Sequence, residues 1–108
     1  MLNKYIEKNK LCSELLFSDW KEFLDLLYLQ GGYVESILWF EYVKISEQSK
    51  SIGSGGYIDK INPDYMYAET HIFEQGFDDK SLSEIDEYIH SILLEYPNNK
   101  LIPSFFIK

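Results

Sequence analysis

The chain is expected to fold as one α+β domain spanning residues 1–108, an antiparallel sheet of three to four strands with two main helices packed on one face. Three observations predict it. Residues 18–30 and 81–96 carry apolar side chains at three- and four-residue spacing, with stop or start signals beside them. Between them lie two stretches rich in aromatic and β-branched residues, 33–46 and 65–74. At 108 residues and 45% hydrophobic, the chain has one domain's length and enough apolar surface for a single core.

Taken in order, residues 1–12 are ambiguous and read as a frayed helix. Ser18 is placed to cap the first helix, whose stripe is Trp20, Phe23, Leu24, Leu27 and Tyr28. Gly31 follows Gln30, where a left-handed residue commonly ends a helix. The strand "GGYVESILWFEYVKI" (31–45) comes next, then a loop with a short strand within 51–59. "YMYAETHIFE" (65–74) is the second clear strand, and "QGFDDK" is its closing turn. "SLSE" (81–84) has capping-box spacing, and Leu82, Ile85, Ile89, Ile92, Leu93 and Tyr96 form the stripe of a helix that Pro97 ends. "LIPSFFIK" reads as an edge strand, because Pro103 removes a ladder donor.

Side chains alternate across a strand. In the 65–74 strand the even residues Met66, Ala68, Thr70 and Ile72 suit a covering helix. The odd residues Tyr65, Tyr67, Glu69, His71 and Phe73 then share the opposite face. Glu35, Trp39 and Glu41 of the earlier strand are expected beside them, making an aromatic surface studded with carboxylates. The alternative is a central strand with both faces packed. A bulge near Glu35 or Ser36 would also shift the phase.

Charge narrows the function. The net charge is −8, with ten lysines and no arginine, which argues against direct nucleic-acid binding. Residues 61–96 hold nine acids and only Lys80. Helix-dipole stabilisation accounts for Asp78, Asp79 and Glu84 near a helix start. It does not account for Glu95 in the last turn, nor for a helix with no basic residue from 81 to 96. That pattern fits a surface offering negative potential to a basic partner, with Glu87 part of it.

Other chemistry is weakly signalled. Cys12 is the only cysteine, so no intrachain disulfide and no cysteine metal site is possible, which suits a reducing, cytoplasmic setting. No apolar run reaches a membrane span's length. "IGSGG" (52–56) lacks the lysine of a phosphate loop and reads as a flexible turn. Glu69 and His71 form the one acid–base candidate, the basis of an alternative reading as a small enzyme or ligand-binding domain. No metal-ligand spacing joins His71 to His90, and His90 reads as structural, so no metal or other cofactor is expected.

"GGYVESILWFEYVKI" and "IGSGGYIDKINPDYMYAET" together resemble small bacterial immunity proteins of polymorphic toxins, of the contact-dependent growth-inhibition type. The resemblance covers residues 31–72. It implies a non-enzymatic cytoplasmic protein that binds the C-terminal domain of a cognate toxin, often a basic nuclease, and occludes its active or substrate-binding surface. A monomer suffices for that role; a self-associating structural domain is the third reading. The residues expected to contact a partner are Glu35, Trp39, Glu41, Tyr65, Tyr67, Glu69 and His71, with Asp78, Asp79, Glu84 and Glu87 as electrostatic support.

Overall fold

The computed structural model describes residues 17–107. The expectations for residues 1–12, Cys12 included, fall outside that range. The elements run α1 (Phe17–Leu29), β1 (Val34–Lys44), a 3-10 helix (Ile45–Lys50), β2 (Gly53–Ile58), β3 (Tyr65–Gln75), α2 (Leu82–Glu95) and β4 (Leu101–Ile107). The four strands form one antiparallel sheet in the order β2-β3-β1-β4. Both helices lie on one of its faces, so the domain is α+β as the sequence predicts.

Each helix stops or starts where its sequence says. Gly31, at φ 83°, is the left-handed residue after α1. Its N–H donates to Tyr28 O at 3.2 Å, and the Gly32 N–H reaches Leu27 O at 3.0 Å. That bond pair satisfies carbonyls the helix end would otherwise strand. Ser18 lies within α1 and is therefore not its cap. At α2 the capping box is complete: the Ser81 hydroxyl accepts from Glu84 N, and Glu84 Oε1 accepts from Ser81 N at 3.1 Å.

The main core lies between helices and sheet. Trp20, Phe23, Leu24 and Leu27 of α1 and Ile85 and Ile89 of α2 close over Val34, Ile37, Trp39, Leu101 and Phe105. Phe23 stacks on Phe105 at 5.4 Å. A second cluster sits on the other face, where Phe40, Tyr67 and Ile102 are buried with Leu38 and Tyr42 against them. β1, between β3 and β4, is thus packed on both sides, which accounts for its two-sided aromatic pattern.

Three bulges shape the sheet. One interrupts β1 against β4 between Val34 and Ser36. Another puts extra β3 residues opposite Trp39, where the Thr70 hydroxyl donates to Trp39 O at 2.7 Å and accepts from Ile72 N at 3.1 Å. The third lies in β2 between Gly53 and Gly56, so "GSGG" is a bulged edge strand rather than a flexible turn. β4 is the opposite edge, as Pro103 predicts.

Candidate functional site

The register decides which expected contact residues share a surface. Tyr42 pairs with Tyr67 and Glu41 with Ala68, so odd residues of β1 stand beside even residues of β3. Tyr65, Tyr67 and Glu69 do lie away from the helices, but their β1 neighbours are Phe40 and Tyr42. Trp39 and Glu41 point the other way and do not join them. Trp39 is 0% exposed, and its indole N–H donates to the Tyr88 hydroxyl at 3.1 Å. Glu35 is half-buried at the β1 bulge, where its carbonyl accepts from Gly76 N at 3.1 Å.

Glu41, 4% exposed, is a structural clamp. Oε1 accepts from the Ser51 hydroxyl at 2.6 Å and from Ile52 N at 2.9 Å, while Oε2 accepts from Asn99 Nδ2 at 2.6 Å. One buried carboxylate so ties the 3-10 helix exit and the turn before β4 to the sheet. A buried charge persists where its lone pairs are filled by donors, and here they are.

On the second face the expected aromatic surface is largely a packed cluster. Tyr67 is 7% and Phe40 2% exposed. The Tyr42 ring lies 4.9 Å from Tyr65 at 7°, and 4.8 Å from Tyr67. Its hydroxyl donates to Asp59 Oδ2 at 2.6 Å, and Asp59 Oδ1 accepts from Ile61 N at 2.9 Å. Burial, followed by the Asp59 carboxylate, holds the Tyr42 phenol well above its ordinary range. That same hydroxyl, helped by backbone N–H groups of Ile61 and Asn62, holds Asp59 below the usual carboxylate value against the effect of burial. Sequence reasoning missed this pair; an aspartate two residues before a turn N–H is the local signal that marks half of it.

The exposed residues of β3 are Glu69, His71, Phe73, Glu74 and Gln75. No hydrogen bond or ion pair joins Glu69 to His71 among the described residues. β2 pairs with β3 only as far as Thr70, which leaves residues 71–75 as an edge on that side. Asp78 and Asp79 are exposed in the turn that follows, and Glu84, Glu87 and Glu95 are exposed on α2. Glu74 and Glu95 both act on the Tyr88 hydroxyl, whose pKa burial raises, so the end of β3 and the last turn of α2 share one electrostatic surface. Lys80 is the one cation in this stretch and approaches Glu84 at 3.9 Å. His90 meets Trp20 edge-on at 6.0 Å, and its Nδ1 lies 3.0 Å from Asp86 O, a structural placement.

Comparison with protein-family models, with curated proteins and with solved structures finds no match to the chain. What the molecule does must be read from its own surface. Among the described residues, no group of three His, Cys, Asp or Glu side chains is placed to hold a metal ion, and no helix is long and apolar enough to cross a membrane.

Proposed function

We propose that this chain is an immunity protein of the contact-dependent growth-inhibition type, which binds a basic toxin domain and covers its substrate-binding surface. The observation that carries the reading is the acidic surface running from Glu74 through Asp78 and Asp79 to Glu84, Glu87 and Glu95, where Lys80 is the one cation. Carboxylates on such a surface take the place of phosphates at the partner's lysines and arginines. Trp39 and Glu41 are interior and take no part. Inhibition is by occlusion, with no bond made or broken.

The test is co-expression with the toxin domain encoded beside this chain, followed by association kinetics at increasing salt. Protection is expected, with an on-rate that falls at least about tenfold from low to high ionic strength. Asp79→Lys with Glu87→Lys slows association further and leaves the fold intact, since neither residue belongs to the α2 capping box. An on-rate indifferent to salt, or cells that die despite co-expression, overturns the reading.

A further inference from the structure

A second site, opposite in charge, lies at the end of the sheet where β1, the 3-10 helix and the turn before β4 meet. We propose that this hollow binds an anion of the phosphate class. Its volume is about 310 Å³, and Lys44, Lys50, Lys100, Asn98, Tyr42 and Tyr65 line it. A bare ion needs far less room; the size falls at the lower end of small-ligand sites, roughly 300 Å³ and up.

The lysines are gathered, not scattered. Six lysines fall among the described residues, and three of them line this one hollow. Pairing of β4 with β1 brings Lys100 beside Lys44, since Tyr42 N donates to Lys100 O at 2.9 Å. None of the three forms an ion pair with a carboxylate among the described residues. Two instead stand over ring faces: Lys100 Nζ is 4.7 Å from the Tyr42 centroid and Lys44 Nζ is 6.0 Å from that of Tyr65. A ring face attracts an ammonium without consuming its N–H donors, which stay available to oxygen acceptors.

Two carboxylates also border the hollow, Glu41 and Glu47. Both oxygens of Glu41 are engaged by Ser51, Ile52 and Asn99. Glu47 stands exposed on the 3-10 helix and opposes an incoming anion. Three ammonium groups against the Glu41 and Glu47 carboxylates leave one positive charge in excess, and a phosphate group brings negative charge with three acceptor oxygens for the lysine N–H donors. The Glu41 clamp holds Ser51 and Asn99, the chain neighbours of Lys50 and Lys100, so the backbone that carries two of the three lysines is fixed before any ligand arrives. The site stands independently of the inhibitory reading.

The experiment is an NMR titration of the ¹⁵N-labelled full chain at low ionic strength with inorganic phosphate and with phenyl phosphate, against chloride at matched ionic strength. Saturable millimolar shifts are expected, confined to the backbone around Tyr42, Lys44, Lys50 and Asn98–Lys100. Tighter binding of phenyl phosphate identifies an organic ester as the ligand; equal binding identifies free phosphate. Lys44→Gln with Lys100→Gln weakens binding about tenfold or more, while Glu47→Gln strengthens it about threefold. Lys21→Gln with Lys60→Gln leaves it unchanged. Absent shifts, shifts spread equally over Lys21, Lys60 and Lys80, or wild-type affinity in the double lysine variant overturns the site. If that variant loses its dispersed spectrum, wild-type affinity in Glu47→Gln overturns it instead.

Discussion

Replacing Glu41 with alanine discriminates a buried clamp from an exposed contact residue. The substitution removes acceptors from three donors, Ser51 Oγ at 2.6 Å, Ile52 N at 2.9 Å and Asn99 Nδ2 at 2.6 Å. A hydrogen bond to a charged group contributes about 1.5–3 kcal/mol, and a stranded buried donor costs about 1–3 kcal/mol. The losses do not simply add. Ser51 keeps its bonds with Gly53, and half-buried Asn99 can turn to water, which leaves the Ile52 N–H as the group without an alternative. The net loss is therefore about 3–4 kcal/mol, a large share of a small domain's total stability. For a chain of this size the midpoint of a circular-dichroism melt falls by roughly 15–25 °C. An exposed glutamate in the same strand changes stability by no more than about 0.5 kcal/mol. A double-mutant cycle with Asn99→Ala sharpens the assay, with a coupling of about 1–2 kcal/mol expected. A loss below about 1 kcal/mol in Glu41→Ala, or strict additivity in the cycle, refutes the clamp and the β1 phase with it.

Tyr42→Phe removes the donor that lowers the Asp59 pKa. A depressed carboxylate contributes stability that is present above its unfolded value, about 3.9, and is lost as pH falls through the lower folded value. The variant is expected to lose about 1–2 kcal/mol at neutral pH and to show a flatter decline below about pH 4 in urea unfolding; an unchanged acid limb refutes the assignment. Gly56→Ala places a β-carbon 1.9 Å from Tyr67 O at a backbone φ of 121°, so about 2 kcal/mol or more should be lost, with amide protection collapsing first in β2. Gly55→Ala, with φ 74° and nothing within 4 Å, costs only about 1 kcal/mol, and equal effects in hydrogen exchange would contradict the difference. Ser81→Ala opens the α2 capping box and should cost about 1 kcal/mol in thermal melts.

Local signals were legible in the sequence and long-range ones were not. The Gly31 stop, the Ser81–Glu84 box and the edge role of Pro103 each depend on a few adjacent residues. The faces of β3 were legible too, because one of them is uniformly small or aliphatic. The phase of β1 relative to β3 was not, since pairing parity is set by the path of the 46–64 connection. Aromatics on both faces of β1 signal a central strand as readily as a binding face, and here they serve two packed clusters. Glu41 finds partners 10 and 58 residues away, and no local pattern announces such a meeting. The Tyr42–Asp59 bond and the gathering of Lys44, Lys50 and Lys100 were hidden for the same reason.

Gly53 and Gly56 of the edge strand face backbone oxygens of Glu69 and Tyr67 at 2.7 and 1.9 Å from where a β-carbon would stand. Those oxygens belong to a strand paired on both sides there and have nowhere to retreat. Mutation can recolour the exposed carboxylates without disturbing the packing, but it meets a wall at these two positions. Distant descendants of the chain would betray their kinship by the pair of missing side chains rather than by anything they bind.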